Sequence, residues 1–119
     1  MVVYHVCPQK YYDYQTQNGV FEVWDGWFDE PEYSHLKETK ISVGIWCAKT
    51  INDAIYGSQH TKDTGCLLLE IDADEEKLDP CEIGGKDYFF YRTTYINLCD
   101  IKNMGWVCGR SNEYFAKVA

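Results

Sequence analysis

The stretch Cys66-Leu-Leu-Leu-Glu-Ile71 limits what this chain can fold into more than any other. Its apolar residues follow one another without alternation, so a strand here must be covered on both faces. Six residues suit a strand and are too few for a buried helix. Such a strand needs paired neighbours and a packed layer on each side. The rest of the chain offers them. Val2-Val-Tyr-His-Val-Cys7 reads as a short buried strand ended by Pro8, and Ile41-Ser-Val-Gly-Ile-Trp-Cys-Ala48 as a second clear strand. Residues 20–24, 88–91, 95–98 and 106–108 read as further strands.

Helical signals are fewer and come early. Residues 9–18 run without a breaker into Gly19, which predicts a helix of about three turns with a glycine cap. Thr50-Ile-Asn-Asp-Ala-Ile-Tyr56 predicts another, with Thr50 as N-cap and Asp53 at the third helical position. Residues 74–78 read as one helical turn, stopped by Asp79-Pro80. Gly84-Gly85 and residues 100–103 read as turns, and residues 57–65 as a polar connection. The segment Asp25-Gly-Trp-Phe-Asp-Glu-Pro31 begins a loop running to Thr39. Trp24, Trp27 and Phe28 there read as a lid, a partner contact or a folded-back plug. Helices early and strands late predict an α+β fold, a single domain over residues 1–119. There is no G-x-G-x-x-G and no phosphate-binding loop motif, which excludes those two nucleotide sites.

Composition narrows the function classes. The net charge of −8 argues against nucleic-acid binding through a broad basic face. It leaves room for a small nucleotide site held by one or two arginines, and it leaves open a basic protein partner. Ten tyrosines, four tryptophans and five phenylalanines supply both core and flat walls for planar ligands. The six cysteines, at positions 7, 47, 66, 81, 99 and 108, include no C-x-x-C pair, so no zinc or thioredoxin-type site is expected. The opening residues carry no signal-peptide pattern and no apolar run could span a membrane. A cytoplasmic location is the expectation, with reduced thiols; Cys7, Cys47, Cys66 and Cys99 read as small packing residues.

Four short segments, in order, resemble the ADP-ribosyltransferase-like superfamily over nearly the whole chain. The first is Val3-Tyr-His-Val-Cys-Pro8, similar to the opening strand of that family. The second, Tyr12 to Gly19, is similar to the helix and glycine that follow it. The third is Gly44-Ile-Trp-Cys-Ala48 leading into Thr50-Ile-Asn-Asp-Ala-Ile-Tyr-Gly57, and the fourth joins Cys66-Leu-Leu-Leu-Glu-Ile71 and Asp79-Pro80 to Tyr91-Arg-Thr-Thr-Tyr-Ile96. These two look like blocks of the small rifampin-type ADP-ribosyltransferases. The resemblance implies a split mixed or antiparallel sheet with two or three short helices. It implies NAD or an ADP-ribose-type nucleotide as ligand.

On this resemblance His5 would hold a ribose hydroxyl, and Trp46, where the family usually has Tyr, would stack on the nicotinamide. Asp79 would stand near the reactive ribose as the catalytic carboxylate. Apart from the resemblance, Arg92, between Tyr91 and Thr93, reads as a two-point phosphate clamp or as a surface salt bridge, and Tyr95 is expected beside it in the nucleotide site. Thr94 falls where most of the superfamily has a catalytic Glu, and a hydroxyl cannot supply that charge. Two functions are therefore expected to compete. One is transfer of ADP-ribose from NAD to a small molecule or protein. The other is a catalytically silent domain of the same fold that binds a nucleotide or a protein, as small acidic inhibitor proteins do, phage-encoded ones among them.

Overall fold

The computed structural model describes residues 1–23, 44–57, 65–108 and 113–116. The aromatic stretch from Trp24 to Tyr33, the segment 41–43 and the connection 58–64 lie outside the described residues.

The apolar run forms strand β4, Cys66–Asp72, in the interior of a seven-stranded sheet. The other strands of that sheet are β1 (Val2–Pro8), β3 (Gly44–Ala48), β5 (Leu78–Ile83), β6 (Lys86–Arg92), β8 (Ile101–Cys108) and β9 (Glu113–Ala116). Their order is β5-β6-β3-β1-β4-β8-β9, and each pairing is antiparallel. A separate two-stranded sheet pairs β2 (Val20–Glu22) with β7 (Tyr95–Asn97). Helix α1 spans Gln9–Gln15 and α2 spans Ile51–Gly57, with short 3₁₀ turns at Glu75–Lys77 and Leu98–Asp100. This is an α+β architecture.

Both faces of β4 are covered, as its composition requires. Leu67, Leu69 and Ile71 point to one side and meet Val3, Cys7, Cys47, Tyr91, Phe21 and Ile96. The small β2–β7 sheet supplies Phe21 and Ile96, and α1 adds Tyr12. Cys66 and Leu68 point to the other side, onto Ala54 and Ile55 of α2. Leu67, Leu68, Leu69 and Ile71 are each at most 2% exposed, and burying each contributes about 1.5–3 kcal/mol. Helix α2 begins as its sequence dictates: the Asp53 amide donates to Thr50 Oγ1 at 3.1 Å.

Several boundaries differ from the sequence reading. Helix α1 ends at Gln15, because Thr16 Oγ1 donates back to Tyr12 O at 2.8 Å and closes the last turn. Asp79-Pro80 does not stop the chain but lies inside β5, which a proline tolerates because β5 is an edge strand. Gly84 and Gly85, with φ of 60° and 78°, form the two-residue turn that joins β5 to β6. Residues 101–103 belong to β8 and the turn precedes them at Leu98–Asp100. Strand β8 starts earlier than its apolar end suggested because a bulge opposite Leu68/Leu69 breaks its alternation. The strand read at 95–98 pairs outside the main sheet.

Candidate functional site

Among the described residues, helix α2 covers one end of its sheet face and no other element covers the rest. The other end carries the side chains that alternate with the core positions of β3, β6 and β5. On β3 the buried Ile45 and Cys47 face the α1 side, so Trp46 faces the α2 side, where it is 56% exposed. Trp46 is registered with Phe90, and the two rings meet edge to face with centroids 5.3 Å apart. Phe90 is in turn registered with Asp79 on β5. Arg92, two residues beyond Phe90, shares that face.

Arg92 and Asp79 are locked together. Arg92 Nε donates to Asp79 Oδ2 at 2.8 Å and Nη2 to Asp79 Oδ1 at 3.3 Å. Nη2 also reaches Glu76 O at 3.3 Å. The hydrogen bonds and charge of Asp79 push the Arg92 guanidinium still further above its ordinary range. The carboxylate is thereby paired with a permanent cation in a two-point geometry.

His5 lies at the centre of the sheet, registered with Leu69. By alternation it shares the face of Val3 and Cys7, opposite the Trp46 indole. It touches β3 through the main chain: Nδ1 stands 2.6 Å from Trp46 O. A carbonyl only accepts, so Nδ1 carries the hydrogen and the ring's orientation is fixed. The β1–β3 register is carried by Tyr4↔Ala48, and the His5 bond extends the connection past that pair.

Tyr95 stands apart. It flanks the buried Ile96 on β7, is 55% exposed, and its carbonyl accepts from Thr93 Oγ1 at 2.7 Å. Thr94 sits in the bend before β7, its carbonyl accepting from Val23 N at 3.0 Å. Of the five residues singled out by sequence, Trp46, Asp79 and Arg92 share one face. His5 meets that group through a backbone atom, and Tyr95 belongs to the second sheet.

Phe90 and Tyr4 were not singled out, and both belong to this face. Phe90 braces Trp46, and the Tyr4 hydroxyl donates to Glu70 Oε1 at 3.4 Å. The alternation along Tyr88-Phe-Phe-Tyr-Arg92 is the signal that could have found Phe90. With rings on both faces, it identifies the strand but not the open side.

Thiol chemistry is disfavoured at the core. Burial pushes Cys7 up to about 12, helped by the neighbouring Cys66 and Asp13, and pushes Cys47 higher still. Among the described residues no group of three His, Cys, Asp or Glu could hold a metal ion, and no helix is long and apolar enough to cross a membrane. Comparison with protein-family models, with curated proteins and with solved structures gives no match.

Proposed function

We propose that this chain is an ADP-ribosyltransferase-like domain that binds NAD or an ADP-ribose-type nucleotide and does not turn it over. The observation that carries this reading is the array of Trp46, Phe90, Arg92 and Asp79 on one open sheet face. An exposed indole braced by Phe90 offers a shelf for a base or a nicotinamide. Arg92 stands diagonally across the strand pair from Trp46, roughly 7–8 Å away. A nucleotide whose ring lies on Trp46 would bring its phosphates toward that guanidinium. His5 enters as a positioning residue that holds the Trp46 backbone in place.

The ion pair supports a silent domain. Stabilising an oxocarbenium-like centre needs a carboxylate whose charge is not already compensated, and Asp79 is paired with Arg92. Thr94 supplies no charge. A second reading, a protein-binding inhibitor of the same fold, is favoured by the exposure of Trp46 in a chain of net charge −8.

A thermal-shift series against NAD, ADP-ribose and a cyclic nucleotide tests the proposal. At about 100 times Kd, NAD or ADP-ribose should stabilise the protein by about 2.7 kcal/mol. Unchanged melting with every nucleotide would remove the nucleotide reading.

A further inference from the structure

Asn18 and Gly19 lie in the connection between α1 and β2, and both are exposed. Gly19 takes a φ of 82°, and a Cβ built there would meet no atom within 4 Å. With no side chain on Gly19, its amide nitrogen is open to approach from the preceding residue. That nitrogen is weakly held: it donates to Thr16 O at 3.4 Å, beyond the usual hydrogen-bond range. The Asn18 side chain is held at its amide end, Nδ2 donating to Glu22 Oε1 at 2.9 Å.

The other asparagines of the described elements are better protected. Asn52 stands in α2, and the amide that follows it, that of Asp53, is held by Thr50 Oγ1 at 3.1 Å. Asn97 is registered with Val20 and followed by the bulky Leu98. Asn103 is registered with Leu69 and followed by Met104, and its Oδ1 accepts from Gly105 N at 3.1 Å. At Asn18 the hold is an exposed hydrogen bond, which water replaces at little cost.

We propose that Asn18 is a site of spontaneous covalent modification, converting to aspartate and isoaspartate. The Gly19 nitrogen attacks Asn18 Cγ. The N–Cγ bond forms, the Cγ–Nδ2 bond breaks, and the Gly19 amide proton departs with Nδ2 as ammonia. Water then opens the cyclic imide at either carbonyl. One opening gives aspartate. The other gives isoaspartate, which routes the main chain through the side-chain carbon and lengthens it. Both products act on β2. A carboxylate replaces the donor to Glu22 and repels it. The lengthened chain lies between fixed ends: Gln15 Nε2 donates to Glu22 O at 2.8 Å, and Phe21, 1% exposed, packs in the core with its ring 6.0 Å from that of Tyr12. Conversion therefore loosens β2 from β7 and adds a negative charge to the net −8. Trp46 takes no part, so the proposal stands apart from nucleotide binding.

The purified protein, held at mildly alkaline pH and sampled over time, provides the test. Isoelectric focusing reads the added charge, peptide mapping by mass spectrometry locates it, and an isoaspartyl methyltransferase assay detects isoaspartate. The unmodified Asn18 peptide should be lost before those carrying Asn52, Asn97 and Asn103, with an acidic shift that Asn18→Gln lacks. Glu22→Ala frees the Asn18 amide and should speed conversion about two- to tenfold, the rate equivalent of an exposed hydrogen bond. Asn18→Asp should melt at a lower temperature than Asn18→Gln, since it places a carboxylate beside Glu22. Conversion at another asparagine first, an unchanged rate in Glu22→Ala, or no acidic shift on prolonged incubation would overturn the assignment. Equal melting of Asn18→Asp and Asn18→Gln would overturn the effect on β2.

Discussion

Asp79 and Arg92 are where residue chemistry separates the two expected functions. A catalytic carboxylate beside a ribose must present its charge to the substrate. Here the charge is held by the Arg92 fork at 2.8 and 3.3 Å. In a binding domain the same carboxylate is a competitor, because it occupies donors that a phosphate would use and repels that phosphate. Asp79→Asn should therefore tighten ADP-ribose binding about two- to fivefold, the range for removing one exposed charge contact. Nicotinamide release from NAD should stay at background in both proteins. Release well above background that Asp79→Asn abolishes would restore the catalytic reading. The sequence made Trp46, Asp79 and Arg92 visible one at a time, through residue type and neighbouring motif. It could not show that Asp79 and Arg92 are partners, since that depends on the β5–β6 register. The role of His5 was hidden for the same reason: its partner is a backbone carbonyl 41 positions away.

At the scale of elements, the open face exists because β3 and β6 pair closely. Gly44 makes that possible. It is registered with Arg92, and a Cβ placed there would collide with the Tyr91 carbonyl and come within 2.7 Å of the Phe90 ring. Gly44→Ala should therefore push β6 away from β3 and unseat Phe90 from Trp46. A loss of about 1–3 kcal/mol in urea denaturation is expected, as for overpacking elsewhere. Unchanged stability would show that the β3–β6 contact yields without cost. Much of this level was legible. The buried run of β4, the Thr50 cap and the Gly84-Gly85 turn each follow from a local physical rule, and each appears where the rule puts it. The edge position of β5 was not legible. Asp79-Pro80 has turn chemistry, and only the sheet order shows that Pro80 lies on an edge strand, where a missing amide is tolerated. Strand β7 was recognised as a strand, but its partner β2 lies far back in the chain.

At the scale of the whole molecule, the described elements cover one antiparallel sheet on the α1 side with α1 and the β2–β7 pair, and on the other side in part with α2. The part of that second side that no described element covers carries Trp46, Phe90 and Arg92, toward β5. The α+β class was legible from the order of helical and strand signals. The asymmetry of coverage was not, because it depends on how far a seven-residue helix reaches across seven strands. The central claim is that Trp46 is the shelf on which an ADP-ribose-type nucleotide lies. Calorimetric titration of ADP-ribose into the protein and into Trp46→Ala tests it directly. Saturable binding that weakens at least about tenfold in the variant is the predicted result, since one stacked ring contributes about 1–3 kcal/mol. Equal affinity in the two proteins, or no heat in either, would contradict it.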